Sequence, residues 1–285
     1  MKLFAAFTSA FGKKKVDLES RFKFSAKWIQ GSSGRFHIVQ QISDGAKFGI
    51  KIIEPAKQNQ FRDKFSEKFE SEAEIALAMQ HDHIVKAHEI GCTEKGNDFI
   101  LMDYVKGVLL DKLLRDKPDV VRSNVLTYIK QLAHAVAHVH DAGFIHRDVC
   151  PRNIIVSADG KTLKLFDFGL TVADKEEFRQ PKNRTGTPLY MAPEIVRRRE
   201  TDHTVDVFAF GITVYQILAN KHPWGVEENS SKSALLFDSR APIDIRKIIP
   251  SLDGKVADAI MNCLEIDPKN RCGSIKRFMM RMGLK

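Results

Sequence analysis

Hydrophobic positions change their period part-way along this chain. Before about residue 102 they come in short runs broken by turn residues. Lys47-Phe48-Gly49-Ile50-Lys51-Ile52-Ile53 alternates, so Ile50 and Ile52 share one strand face and Lys51 points to the other. Lys27-Trp28-Ile29 and Phe36-His37-Ile38-Val39 read as two strands around Gly31-Ser32-Ser33-Gly34, and Phe99 to Met102 as a buried strand. One helical stretch interrupts them, from Phe65 to Gln80. Further on, Val125, Ile129, Leu132, Val136 and Val139 recur at helical spacing between Ser123 and Gly143, which gives a cap, a stripe and a stop. Residues 204–218 are apolar on nearly every face around Ile212, Val214, Ile217 and Leu218, so that helix is expected to be fully buried. The expected division is a tail at 1–24, a small β-rich lobe with one helix at 25–105, and a larger helical lobe at 106–285. The fold class is α+β.

Chemistry concentrates where a strand pair interrupts the helical half. Ile154 to Val156 and Thr162 to Phe166 flank Asp159-Gly160, a strong hairpin turn signal. Pairing about residue 160 sets Asn153 opposite Asp167 at the open end of the hairpin, with Asp148 one loop away. A divalent metal site beside a base is the expected result. Asp167-Phe168-Gly169 alone would be an ordinary strand-ending turn; its meaning comes from the order in which it follows His146-Arg147-Asp148 and Asn153.

These two runs resemble the catalytic loop, H-R-D-x-x-x-x-N, and the metal-binding loop, D-F-G, of the protein kinase superfamily. The resemblance implies a bilobal kinase-like fold and assigns roles. Asp148 would accept or orient the proton of a substrate hydroxyl. Asn153 and Asp167 would hold Mg2+, and Phe168 would pack. Thr185-Gly186-Thr187-Pro188-Leu189-Tyr190-Met191-Ala192-Pro193-Glu194 is similar to the end of a kinase activation segment. The family pairs Glu194 with Arg271 and uses Asp206 to grip the catalytic-loop backbone. Lys51 would contact the α and β phosphates of ATP and pair with a helix glutamate; the family's spacing back from His81 selects Glu72, with Glu70 and Glu74 as neighbouring alternatives. Gly31 and Gly34 would cover the phosphates. Ile29 stands where that loop's first glycine is expected, and Phe36 where a valine packs on adenine. Met102, Asp103 and Val105 would line the adenine hinge.

Two departures bear on activity. Cys150 stands two residues after Asp148, where these enzymes carry a lysine that contacts the transferred phosphate; Arg152 is the candidate substitute, and its bland reading is a surface arginine. Arg147 would receive a phosphate from the activation segment, with Thr185 the best-placed hydroxyl.

Composition narrows the class. The 285 residues suit one such domain, and 43% hydrophobic with 28% charged residues suits a globular chain with a sizeable core. No apolar run is long enough to span a membrane. Cys92, Cys150, Cys263 and Cys272 form no C-x-x-C pair, which favours free thiols in a reducing, cytoplasmic setting. The net charge of +9 comes without a nucleic-acid motif and reads as a solvated surface biased toward acidic partners. Phe4, Phe7 and Phe11 followed by Lys13-Lys14-Lys15 would suit a surface-seeking amphipathic helix within residues 1–15, although docking on its own domain or disorder is the favoured reading. His134 and His138 share a helix face, read as solvated for want of a third ligand. The expected activity is that of a serine/threonine protein kinase using ATP and Mg2+ on protein hydroxyls. The alternatives are a catalytically weak kinase-like binding protein and a small-molecule phosphotransferase. Oligomeric state is left open.

Overall fold

The two hydrophobic periods build two different units. In the computed structural model, residues 15–31, 33–54, 70–179, 186–226, 237 and 240–284 are described. One compact unit comprises Met1–Gln80 and Lys86–Tyr104, the other His81–Val85 and Val105–Lys285.

The first unit is a six-stranded sheet with one described helix. Its strands are β1 (Lys15–Val16), β2 (Phe22–Gln30), β3 (Gly34–Gln41), β4 (Lys47–Ile53), β5 (Ala87–Thr93) and β6 (Asp98–Asp103), in the order β1-β5-β6-β4-β3-β2. Alternation sends Val39, Ile50, Phe99 and Leu101 to one face, where they form a core with Leu18 and Phe22. Leu18 and Phe22 are 5% and 3% exposed, β1 pairs in parallel with β5, and Arg21 makes a two-pronged ion pair with Glu89. The sheet and its core therefore start ahead of residue 25. Phe4, Phe7, Phe11, Lys13 and Lys14 lie outside the described residues.

Helix α1 runs over Glu72–Ala78. Residues 70 and 71 are not helical, so it starts later than the expected Phe65, and residues 55–69 lie outside the described residues. The reason is local: Ser71 is the N-cap and forms a reciprocal capping box with Glu74, which satisfies donors at the helix start.

The second unit contains strands β7 (Gly107–Leu109), β8 (Phe144–Ile145), β9 (Ile154–Ser157), β10 (Leu163–Leu165) and β11 (Val172–Ala173). Its helices are α2 (Leu110–Asp116), α3 (Pro118–Arg122), α4 (Val125–Asp141), α5 (Pro193–Val196), α6 (Thr204–Ala219), α7 (Gly254–Cys263) and α8 (Ile275–Met282). The α4 stripe is buried as its spacing requires, including Ile129, Leu132, Val136 and Val139. Helix α6 is buried along almost its whole length, and Asn220 ends it in the left-handed region at φ 49°.

Pairing in the β9–β10 hairpin corrects one expectation. Ile154 pairs with Leu165 and Val156 with Leu163, which centres the hairpin between residues 159 and 160. A turn whose two central residues are Asp159 and Gly160 has its symmetry point between them, not on the glycine. Asn153 therefore meets Phe166, whose amide donates to the Asn153 carbonyl at 3.0 Å, and Asp167 lies one residue beyond.

Residues 81–85 dock on this hairpin through Ile84, Val85 and His83, with Val85 N donating to Leu165 O and Leu165 N to His83 O. The His81 ring stacks on His138 at 5.0 Å and lies 6.5 Å from His134, so the histidine face of α4 is covered by another imidazole. Among the described residues no three histidine, cysteine or acidic side chains are arranged to hold a metal.

Candidate active site

In the first unit, β4 presents Lys51 on the face opposite Ile50, only 8% exposed, with Phe36 of β3 and Ile100 of β6 as its register partners. A lysine so deeply buried requires an anionic partner. Glu72 Oε1 supplies it, both side chains being about one-tenth exposed. Local helix chemistry decides among the three glutamates. Glu74 spends a carboxylate oxygen on Ser71 N at 2.8 Å, closing the capping box, while Glu72, the first helical residue, turns toward the sheet. Its second oxygen, Oε2, accepts from the Ser33 hydroxyl at 2.7 Å.

Ser33 belongs to the loop carrying Gly31 and Gly34. Gly31 N donates to Gly34 O at 2.8 Å. A Cβ on Gly34 would sit 2.0 Å from Ile52 O, so glycine is required for the strands to approach this closely. A Cβ on Gly49 would lie 2.6 Å from the Phe36 ring and 3.3 Å from Met102 Cγ. The large residue at 36 is therefore matched by the absence of a side chain at 49. Met102 and Asp103 end β6; the Asp103 amide donates to Lys86 O at 2.9 Å, and the Asp103 carboxylate shares a 2.6 Å contact with His88 Nε2. Val105 is the first residue of the second unit's main segment.

In the second unit the loop bearing Asp148 is anchored from beneath. Asp206, in the first turn of α6 and fully buried, accepts from His146 N and Arg147 N at 2.7 Å each, and shares a 2.9 Å contact with His140 Nε2. Burial opposes its ionisation, yet the His140 bond and the nearby imidazoles and amides outweigh that and hold its carboxyl below the usual range. Burial likewise pushes the His146 imidazole down and the Arg147 guanidinium down to about 10. Arg147 and Asp167 both adopt the left-handed region, at φ 67° and 68°. Such conformations are costly for residues with a Cβ and persist where neighbours over-determine them.

Asp148 itself is oriented from both sides. Its Oδ1 accepts from Thr187 N at 2.8 Å and its Oδ2 from Asn153 Nδ2 at 2.7 Å; Nδ2 also donates to the Asp148 carbonyl at 2.9 Å. With its amide nitrogen so used, Asn153 presents Oδ1 as its acceptor. Together with the Asp167 carboxylate, whose Oδ1 accepts from Gly169 N at 3.2 Å, this is an all-oxygen donor set of the kind that suits Mg2+. Phe168 is buried, its ring 5.2 Å from that of His146.

Cys150 is completely buried, 3.7 Å from Thr187 Oγ1 and 4.0 Å from Asp148 Oδ1, and burial pushes its thiol up to about 12. It is a neutral group beside Asp148. Arg152 is an exposed side chain with Nε 4.0 Å from Asp111 Oδ2. Glu194 and Arg271 form a buried two-pronged pair at 2.6 and 2.9 Å; Arg271 also donates to the carbonyls of Glu265, Ile266 and Thr204 and lies over the Phe208 ring. Thr185 lies outside the described residues.

Sequence reasoning missed Ser33, His140 and the Thr187 amide. Only the demand of a buried Asp206 for donors could have hinted at His140; nothing in a Gly-Ser-Ser-Gly run singles out Ser33.

Residues 24–281 match the protein kinase domain family model. The chain is 30% identical over 253 residues to the Aurora kinase of Saccharomyces cerevisiae, covering 88% of this chain and 65% of that protein. It is 30% identical over 212 residues to a probable serine/threonine-protein kinase of Clostridium acetobutylicum, covering 73% of this chain and 32% of the relative. It is 28% identical over 266 residues to human ribosomal protein S6 kinase alpha-2, covering 92% and 35% respectively. The chain thus spans from about one third to two thirds of the length of these relatives.

Proposed function

The chain belongs to the protein kinase family, and from that premise we propose that it is a serine/threonine kinase transferring the γ-phosphoryl group of ATP, with Mg2+, to protein hydroxyls. The observation that carries this reading is the two-sided support of Asp148. A carboxylate whose two oxygens are fixed by Thr187 N and Asn153 Nδ2 keeps lone pairs aimed in set directions, as a base that must orient a hydroxyl requires.

In this reading the substrate hydroxyl donates to Asp148, and its oxygen forms the new bond to the γ-phosphorus as the bond to the β-phosphate oxygen breaks. The proton passes to Asp148 and ADP leaves. Asn153 and Asp167 would hold Mg2+, which when bound neutralises charge on the transferred group. Lys51, fixed by Glu72, would hold the α and β phosphates, and Gly31 and Gly34 let backbone approach them. Met102, Asp103 and Val105 would line the base. Thr187, in the Gly-Thr-Pro-x-Tyr run, and the names of the relatives support serine and threonine as acceptors. The free thiols of Cys92, Cys150, Cys263 and Cys272 fit a cytoplasmic setting.

A second reading, a catalytically weak kinase-like binding protein, is favoured by one observation. Cys150 is neutral where a cation is expected, and a lost electrostatic donor costs on the order of a hundredfold or more in rate. Incubation with ATP and Mg2+ followed by intact-mass measurement tests transfer and protein acceptance together. The first reading expects added phosphate, and a loss of about a hundredfold or more in Asp148→Asn. It further expects Arg152→Ala to lower the turnover number more than it raises KM for ATP, with Cys150→Lys restoring part of the loss. No phosphate on the chain or on a generic protein substrate, with nucleotide still bound, would favour the second.

A further inference from the structure

The Ser33 hydroxyl has a use that backbone cradling of phosphate does not require. Glu72 is engaged on both carboxylate oxygens, by Lys51 Nζ on Oε1 and by Ser33 Oγ on Oε2. Ser33 is itself held in place, because its carbonyl accepts from Glu54 N at 3.0 Å just beyond β4 and Gly34 is locked against Ile52. The hydroxyl therefore approaches Glu72 from a fixed backbone. Glu72 needs such support. It is the first residue of α1, preceded only by the N-cap, and its side chain has three torsions to restrain. A single lysine contact at one oxygen leaves the carboxylate free to rotate about its terminal torsion. A second donor on the other oxygen sets its plane, and with it the position of the lysine nitrogen. A hydroxyl-to-carboxylate bond is among the stronger neutral–ionic contacts available to a protein.

We propose that Ser33 is a positioning residue: it clamps Glu72 so that Lys51 is held where a nucleoside diphosphate or triphosphate is bound, and it couples the glycine loop to helix α1. This rests on the kinase reading of Lys51 and Glu72. The loop then contributes a side chain to nucleotide affinity without that side chain touching the nucleotide.

Binding of Mg-ADP, measured by calorimetry on the full chain, tests this independently of turnover. Ser33→Ala is expected to weaken binding about tenfold, the effect of one lost hydrogen bond to a charged group. Ser33→Thr, which keeps the hydroxyl, is expected to stay within about twofold of the wild type. In a Glu72→Ala background, adding Ser33→Ala is expected to change affinity less than about twofold, because the clamp has nothing left to hold. Thermal melts establish that each variant is folded; should Glu72→Ala unfold, the Ser33→Ala and Ser33→Thr pair decides. Wild-type affinity in folded Ser33→Ala overturns the clamp and leaves the kinase reading intact. A tenfold loss that persists in Glu72→Ala also overturns it, by showing that the hydroxyl acts on the nucleotide directly. A folded wild type that binds no Mg-ADP overturns the nucleotide-site reading, and the clamp with it.

Discussion

The candidate residues fall into two halves, one in each unit, held by opposite means. In the second unit a fully buried carboxylate, Asp206, takes two main-chain amides and an imidazole, so the Asp148 loop is pinned through its backbone. In the first unit two side chains, Lys51 and Glu72, hold each other, with one serine hydroxyl as support. Main-chain anchoring around a buried charge makes a loop part of the core, and its loss is felt as stability. A side-chain pair on one face of an inner strand anchors no main-chain amide, so its loss leaves the hydrogen-bond ladder of the sheet in place. One half should therefore break globally and the other locally.

The largest expected effect comes from setting Asp206→Ala against Lys51→Met. Removing Asp206 leaves two buried amides and His140 without their acceptor, which costs about 3–5 kcal/mol and disorders the Asp148 loop. Urea denaturation should show that loss together with loss of phosphoryl transfer. Lys51→Met should abolish transfer while lowering stability by less than half as much. Equal stability losses would erase the distinction between the halves.

Acidification should sharpen it. In the second unit His222 is 6% exposed, with Nδ1 accepting from Trp224 N and Nε2 facing the Leu189 carbonyl, an arrangement that the neutral ring satisfies. Burial pushes its pKa down to about 4, the Leu189 bond opposing only in part. The unfolded chain, titrating near 6.5, then binds more protons than the folded one between the two values. The contribution of His222 is present above about pH 6.5 and is lost as pH falls toward 4, on the order of 3 kcal/mol over the whole span. His81, His83 and His146 are shifted in the same direction, chiefly by burial, and add to the slope. Asp206, whose carboxyl is held low, is lost only in a more acid window. Urea midpoints at pH 7 and pH 5 should fall for the wild type and fall less for His222→Gln; parallel falls would remove His222 from the account.

The smallest effect lies in the first unit. Gly49→Ala would drive a methyl to 2.6 Å from the Phe36 ring, an overpacking cost of about 1–3 kcal/mol between two inner strands of the sheet. Adding Phe36→Val should relieve it. Thermal melts and Mg-ADP affinity of the single and double variants check this, and a single variant as stable as the wild type would show that the ring simply swings aside.

The sequence by itself determined the elements and the identities of the chemical groups. Period-two alternation sent Lys51 away from Ile50, helical spacing buried the α4 stripe, and an all-apolar helix around Asp206 demanded that this one carboxylate be satisfied. Helical period alone left Glu70, Glu72 and Glu74 as alternatives and the family's spacing from His81 selected Glu72; in the structure Glu72 pairs with Lys51 while the Ser71–Glu74 capping box engages Glu74. Periodicity also failed at the front of the chain, because Leu18 enters the core from the turn after a two-residue strand, too short to show a period, and Phe22 from the first position of β2. The partners that orient the site were decided by tertiary structure alone. Ser33 reaches a residue 39 positions away, Thr187 one 39 positions away, and His140 one 66 positions away. Local pattern reports which face a residue occupies, whereas a hydrogen bond across the chain depends on where two distant backbones are brought to rest.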